Sequence, residues 1–389
     1  MVAALAARFR DLDLAEDAFA DTCERALAVW SDAPPRDPAA WLYAAAVRRA
    51  VDLKRRAAVR ARLKPDLPPP EPDPEALLMA ADRPFPDERL GLIFACCHPA
   101  IAPEARVALT LRVVCGLSVQ RLARAFLVAE PAILQRITRA KRKIRDAGVP
   151  FEVPGRAAWP ERLEAVLTTL EIAYAQAYQD AAGASEAAEL GPEVLRLSGV
   201  LAELLPDEPE VLALAALVRF AEARRPARLD ELGAMVPVSE QEPDLWLSPM
   251  IEEGARLLDR AATLRRPGPR QILAAIHGAH LSRLETGVTP WADIVELYDA
   301  LLFFRRDTVT RVNRAVAAAE AQGADAGLAA LETAGAPRDW LPYQAARAAL
   351  CATAGRLDEA RAAYTAALAL DPPPAERLFL QRRLTALQM

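Results

Sequence analysis

The stretch LSVQRLARAFLVAEPAILQRITRAKRKIRDAG, residues 117–148, contains two amphipathic helical patterns separated by a short turn. Ser118 is placed to cap the first helix, and residues 127–130 form the predicted turn. Pro131 suits the start of the second helix, because a proline lacks the N–H that is unsatisfied there in any case. Two helices joined in this way are typical of a helix-turn-helix motif.

The apolar spacing predicts which face of each helix packs inward. In the first helix these residues are Val119, Leu122, Ala123 and Phe126, and in the second they are Ile133, Ile137, Ala140 and Ile144. The opposite face of the second helix is then free to meet DNA in a major groove. The residues expected to reach base edges are Leu134, Gln135 and Thr138, and those expected to hold phosphates are Arg136, Arg139, Lys141, Arg142, Lys143 and Arg145.

Positive charge is concentrated in two segments, although the formal net charge of the chain is -5. Residues 48–64 contain eight Lys/Arg and one acid, and residues 104–146 contain ten Lys/Arg and three acids. Clustered positive charge in an acidic chain indicates contact with nucleic acid, because phosphate neutralisation dominates that affinity. The alternative is an ordinary helix with a solvated basic face.

Residues 11–30 predict an amphipathic helix with an acidic side. Asp13 and Glu16 have the spacing of a capping box. The predicted inward face consists of Phe19, Cys23, Ala26 and Trp30, and the predicted solvent-facing acidic row consists of Asp13, Asp17, Asp21 and Glu24.

A second helix is predicted to begin at residue 37. Asp37 is the expected cap, and Pro38 takes the first helical position. Arg49, Arg56 and Arg60 are expected on its exposed face. The following residues, 65–86, combine proline with acids, which favours an extended linker.

Composition indicates the number of domains and the class of protein. A chain of 389 residues with 53% hydrophobic and 26% charged residues predicts two or three packed domains, and the absence of a long uncharged apolar run predicts a soluble protein. No secretory signal is readable, and five scattered cysteines favour the cytoplasm. CCHP at 96–99 and the pair His277 and His280 are expected to be structural, because neither has a metal-ligand set at suitable spacing. We expect no enzyme, no metal and no cofactor.

The C-terminal part predicts helical repeats. Gly323 and Gly355 mark equivalent helix turns 32 residues apart, close to the 34-residue tetratricopeptide period. Such repeats commonly present a groove to a protein or peptide ligand, so a regulatory module is expected here; the alternative is an inert stabilising appendage.

Residues 11–63 and 87–148 resemble regions 2 and 4 of the extracytoplasmic-function sigma factors (sigma-70 family, group 4) of bacterial RNA polymerase. The segments that carry the resemblance are DLDLAEDAFADTCERALAVW, DPAAWLYAAAVRRAVDLKRR and VALTLRVVCGLSVQRLARAFLVAEPAILQRITRAKRKIR. DERLGLIFACCHPAIAPEARVALTLR and the long helical tail resemble the subgroup that carries a tetratricopeptide-like C-terminal extension.

The resemblance implies an all-α protein with separate modules and no catalytic residues. Its implied domains are sigma region 2 (1–64), a linker (65–86), sigma region 4 (87–150), a helical extension (157–305) and tetratricopeptide-like repeats (306–389). The implied partners are core RNA polymerase and promoter DNA, with the open alternative of a helix-turn-helix regulator whose C-terminal domain senses a ligand or peptide.

The resemblance also implies a role for each matching side chain. For docking on core polymerase these are Asp13, Glu16, Asp17, Asp21 and Arg25. For the -10 element they are Trp41, Arg48, Arg49, Arg55 and Arg56. For the -35 element they are Arg112, Ser118, Leu134, Gln135, Arg136, Thr138, Arg139 and Lys141.

Overall fold

A computed structural model describes residues 1–30, 35–61, 86–126, 128–155, 157–180 and 190–388. Helices form the regular secondary structure of these residues, beside one isolated antiparallel bridge between Leu229 and Met235, which confirms the predicted all-α class. In the described part of the chain, no helix is both long and apolar enough to cross a membrane. The predicted linker, 65–86, lies outside the described residues except for Pro86.

The helices are numbered here in chain order. They are α1 (Val2–Phe9), α2 (Leu12–Val29), α3 (Pro38–Ala61), α4 (Pro86–Cys96), α5 (Pro103–Val113), α6 (Val119–Ala125), α7 (Glu130–Asp146), α8 (Trp159–Asp180), α9 (Leu190–Leu204), α10 (Pro209–Ala223), α11 (Ser248–Thr263), α12 (Pro269–Leu281), α13 (Arg283–Thr286), α14 (Trp291–Phe304), α15 (Thr308–Gln322), α16 (Ala324–Glu332), α17 (Leu341–Thr353), α18 (Leu357–Ala369) and α19 (Pro374–Ala386).

The chain divides into two compact units. The first contains Met1–Ala123 and Leu127–Leu170, and the second contains Arg124–Phe126 and Glu171–Met389. The division therefore falls within α8. Both segments that resemble sigma regions 2 and 4 lie in the first unit apart from Arg124–Phe126, and the predicted repeats lie in the second.

Helix α2 begins earlier than the sequence predicted. Asp11 is its cap and accepts a hydrogen bond from the Leu14 amide (3.1 Å), so the capping box predicted for Asp13 and Glu16 is wrong. The next cap is confirmed: Asp37 accepts from the Ala40 amide (2.9 Å).

The buried face of α2 is built mainly from small residues that pack against α1 and α3. Its members are Leu12, Ala15, Ala18, Thr22 and Ala26. Phe19, Cys23 and Trp30 were predicted to be buried but are only half-buried. The small side chains allow the neighbouring helices to approach closely, so the larger ones lie at the edge of the contact.

The helix-turn-helix region has the predicted cap and turn glycine, and Leu122 and Ala123 are buried as predicted, but Val119 and Phe126 are only half-buried. Ser118 Oγ accepts from the Arg121 amide (3.2 Å), and Gly116 has the left-handed backbone (φ 76°) expected at the end of α5. Helix α7 begins at Glu130, one residue before the predicted start, with Ala129 as its N-cap. Its buried residues are Ile133, Ile137, Ala140 and Ile144, as predicted.

Two cysteines of the CCHP sequence belong to the core of the first unit. Cys96 and Cys97 are 0% and 1% exposed, and Cys97 Sγ lies 3.3 Å from Thr110 Oγ1. Burial raises the pKa of both thiols, which keeps them protonated and unreactive. Their predicted structural role is therefore confirmed.

In the second unit α10 is buried along most of its length and packs against α9, α11 and α12. At the C-terminal end of the unit α15 packs on α16, and α17 packs on α18. Gly323 and Gly355 lie at the turns of these two pairs with φ of 101° and 73°, so the predicted equivalence of the two glycines is confirmed.

Candidate nucleic-acid interface

The outer face of α7 carries the side chains predicted to read bases. Helix α7 is anchored on α5 through its four buried residues. The opposite face of the helix is exposed. On it Leu134 is 50% exposed, and Gln135 and Thr138 are also exposed. An exposed leucine between polar neighbours can contact a thymine methyl group, and the amide of Gln135 can pair with a base edge.

A basic concave surface adjoins this face. A cavity of about 740 Å³ lies between α7 and residues 100–105, and its wall contains four basic side chains, Arg136, Arg139, Arg142 and Lys143, and two acidic ones, Glu104 and Asp146. Arg139 and Arg142 are exposed and form no ion pair with another described residue. Guanidinium groups in this state can bind phosphate without first breaking an internal contact.

Lys141 and Arg145 are the exceptions among the predicted DNA contacts of α7, because both pair with Asp13, and Lys141 is the more deeply engaged. Its Nζ lies 2.8 Å from Asp13 Oδ1 and 2.5 Å from Glu16 Oε2 on α2, and its side chain is half-buried. Burial by itself would lower the pKa of Lys141, but the hydrogen bonds to both carboxylates outweigh it and raise that pKa. In this structure Lys141 joins α7 to α2, a contact that spans more than 120 residues and that no local pattern predicts.

In the acidic row of α2, some carboxylates form ion pairs, and others are exposed and pair with no described residue. Asp13 pairs with Lys141 and, at 3.4 Å, with Arg145. Asp21 pairs with Arg49 at 2.6 Å. The three remaining members of the predicted docking and acidic set are exposed: Asp17, Glu24 and Arg25.

The residues predicted to meet the -10 element separate into an exposed and a packed group. The exposed group consists of Arg48, Arg55 and Arg56. Trp41 is half-buried and packs edge-on against Trp30, with ring centroids 5.3 Å apart. Arg49 was predicted to be exposed and is instead half-buried, because its guanidinium pairs with Asp21. The side chain of Arg60 lies outside the described residues.

Two residues predicted for the -35 element support the turn in this structure. Arg112 Nη1 donates to the carbonyl of Leu117 (3.0 Å), and Ser118 caps α6. Both contacts fix the backbone between α5 and α6. They position the helix-turn-helix motif, and neither side chain lies on the outer face of α7.

The contact between Lys141 and α2 leads to a testable expectation. Changing Lys141 to Glu should raise hydrogen–deuterium exchange about fivefold in both α2 and α7, because losing the contact and adding repulsion from Asp13 and Glu16 costs about 1 kcal/mol at this half-exposed site. Adding Asp13→Lys should restore part of the protection. Lys143→Glu, on the exposed side of α7, is the control; equal effects of the two lysine variants would contradict the role of the ion pair.

The second unit contains a cavity that the sequence did not indicate. His277 and His280 were predicted to be structural, and both line this cavity, which is formed by the second unit alone. Among the described residues, no group of three or more His, Cys, Asp or Glu is arranged to hold a metal ion. The cavity could not be predicted from the sequence, because its walls include residues as far apart as Arg224 and Glu376.

Comparison with known proteins gives two similarities. Residues 162–262, from the first turn of α8 to the end of α11, match a family of unknown function (DUF6596). The uncharacterized protein R00370 of Rhizobium meliloti (strain 1021) is 40% identical over 389 residues, which cover 98% of this chain and 92% of that protein. No solved structure matches this chain. The chain therefore belongs to the same family as the Rhizobium protein, with which it shares almost its entire length.

Proposed function

We propose that this protein is a sigma factor of the extracytoplasmic-function type. In this role the first unit would bring core RNA polymerase to specific promoters and help to open them, and the second unit would regulate that activity. The protein would act as a positioning subunit in the cytoplasm, without chemistry of its own.

The observation that carries the proposal is the surface of α7. Leu134, Gln135 and Thr138 are exposed between arginines, while the opposite side is held by four buried residues. A helix with this register, following a short helix and a turn, can enter the major groove and place its arginines near both phosphate backbones. The basic concave surface beside it extends the area available to phosphates.

The N-terminal helices add surfaces for single-stranded DNA and for a protein partner, which a plain duplex-binding protein does not need. Helix α3 presents Arg48, Arg55 and Arg56 at its surface, and Trp41 lies on the same helix. Cations and an aromatic ring together suit single-stranded DNA, whose unstacked bases pack against rings. The exposed carboxylate of Asp17 on α2 supplies an acidic surface for a protein partner.

A helix-turn-helix regulator with a ligand-sensing C-terminal domain is the second candidate. The cavity of the second unit favours it, because a cavity of this kind can hold a small molecule. The two candidates differ in one requirement. A sigma factor must bind core polymerase and start transcription, and a regulator of the second kind need not do so.

The deciding experiment is transcription by purified core polymerase on genomic DNA fragments, with and without the full chain, followed by mapping of RNA 5′ ends. We expect new, discrete start sites when the chain is present. We also expect Asp17→Lys to weaken association with core polymerase at least tenfold, because it reverses an exposed charge without breaking an internal ion pair.

The matched control for this variant is Asp259→Lys, on the exposed side of α11 in the second unit. It makes the same charge change far along the chain and should leave polymerase binding unchanged. Duplex DNA binding by Asp17→Lys should persist. If the unmodified chain neither binds core polymerase nor creates start sites, the sigma-factor proposal is wrong and the regulator is favoured.

A further inference from the structure

The second unit contains a cavity of about 620 Å³ that the proposed function does not use. Its walls come from the end of α10, the segment 228–241, α12, α14 and α15, and the start of α19. This volume is in the range of sites that hold small organic molecules. All of these elements belong to one unit, so the cavity is a property of that unit alone.

One part of the cavity wall is basic. Arg224 and Arg228 line it, and both are buried. Arg224 Nη2 donates to Nδ1 of His277 (3.0 Å), so the neutral imidazole carries its proton on Nε2. Burial, followed by the charges of Arg224, His280 and Arg228, holds the pKa of His277 well below its usual value. At neutral pH the charged groups among these neighbours are Arg224 and Arg228. Glu320 and Glu376 also line the cavity, and burial raises the pKa of Glu376. An anion would therefore be favoured beside the two guanidinium groups.

Another part of the wall is aromatic and apolar. The rings of His280 and Trp291 meet edge to face with centroids 5.1 Å apart. Tyr298 lies beside them in the cavity wall, and Ile276 and Val316 add apolar surface. Burial, followed by Arg224, lowers the pKa of His280 to about 4, so this ring is also neutral at pH 7. A neutral aromatic surface of this kind suits a planar or aliphatic body.

A buried acceptor in the wall lacks a protein donor. Gln241 is 4% exposed, and its Nε2 donates to the Val236 carbonyl (3.1 Å). Its Oε1 has no hydrogen-bond partner among the described residues. A buried carbonyl without a donor is costly, so a ligand N–H or O–H at this point would be favourable.

The segment that carries Gln241 is held in place from several sides. Asp230 accepts from the amides of Leu232 and Ala234 (both 2.9 Å), and the Met235 amide donates to the Ala375 carbonyl (3.1 Å). Arg283 donates to the carbonyl of Gln241. These contacts fix the wall before any ligand arrives, and a preformed site avoids the entropic cost of ordering on binding.

We propose that this cavity binds a small organic carboxylate that has an aromatic or apolar body and a hydrogen-bond donor. The carboxylate would lie against Arg224 and Arg228, the body against Trp291 and Tyr298, and the donor against Gln241 Oε1. This inference goes beyond the proposed function and does not depend on it, because the test uses neither DNA nor polymerase.

The test is isothermal titration calorimetry of the full chain with benzoate, indole-3-acetate and 4-hydroxyphenylacetate, and with the neutral amide of the last. We expect a Kd below about 1 mM for at least one acid and binding of the amide at least tenfold weaker, because a carboxylate gains charge-assisted hydrogen bonds from arginine. Inorganic phosphate, which has the charge but no apolar body, should bind at least tenfold more weakly than the best acid.

Two variants and one control assign the binding to the cavity. Arg224→Gln should weaken binding of the acid at least tenfold, and Val316→Trp should abolish it by filling the cavity without removing a charge. Arg256→Gln, on the exposed side of α11, should have no effect. Circular dichroism identifies a variant that fails to fold. If one variant does, the other determines whether the acid binds in the cavity.

Four results would overturn the proposal. They are no binding by any of the three acids, equal binding of the acid and its amide, equal binding of inorganic phosphate, and unchanged binding by the folded Val316→Trp variant. Binding of a peptide through its free C-terminal carboxylate, without binding of the small acids, would also overturn it in favour of a peptide site.

Discussion

Changing both Arg139 and Arg142 to glutamate is expected to weaken binding of the full chain to duplex DNA by about 100-fold at about 0.1 M salt. Each change replaces a phosphate contact by repulsion, which should cost about 1.4 kcal/mol per position, or about tenfold. Both side chains are exposed and form no ion pair with a described residue, so the fold should not change. The measurement is fluorescence anisotropy with labelled duplex.

The salt dependence separates this explanation from misfolding. If two phosphate contacts are lost, the slope of log K against log salt should become shallower by about 2, because each contact releases about one counterion. Arg256→Glu with Arg260→Glu, on the exposed side of α11, makes the same charge change in the second unit. Equal losses of affinity in the two double variants would show that net charge, and not the surface of α7, determines the binding.

Changing Phe220 to alanine is expected to destabilise the second unit by about 3–5 kcal/mol, the usual range for deleting a buried phenylalanine. Phe220 is 2% exposed and belongs to a core cluster with Trp246 and Leu281. A Cβ atom placed on Gly254 would lie 2.6 Å from its ring, so the ring packs directly on the backbone of α11. The cavity left by the substitution could not be filled without moving that helix.

Differential scanning calorimetry of the full chain measures this effect. A loss of this size should lower the Tm of the second unit by about 10 °C, because a unit of this size shifts by about 2–4 °C per kcal/mol. Phe303→Ala deletes the same group at a site that is 79% exposed and should change stability by less than about 0.5 kcal/mol. Similar Tm values for the two variants would contradict the packing role of Phe220.

The sequence predicted local features well where one helix decides them. The spacing of Ile133, Ile137, Ala140 and Ile144 gives the buried face of α7, because a helix places residues three and four apart on one side whatever it packs against. The cap at Asp37 was predictable for a similar reason, since the bond reaches only three residues along the chain.

Predictions were wrong where packing between helices decides the outcome. The inward face of α2 was assigned to Phe19, Cys23, Ala26 and Trp30, of which only Ala26 is buried, because close approach of α1 and α3 favours alanines. Arg49 was predicted to be exposed from the periodicity of its own helix. In the structure it is half-buried, because it pairs with Asp21 on the neighbouring helix. Periodicity identifies which residues share a face, but it does not identify the surface that the face meets.

The sequence by itself determined the helical class, the register of α7 and the positions of the basic segments, because each follows from the order of neighbouring residues. Only the tertiary structure decided that Lys141 pairs with Asp13 and Glu16, and that Arg224, His277 and Trp291 line one cavity. Contacts between residues this far apart depend on how whole helices pack, and helix packing is set by the shape and burial of many side chains together.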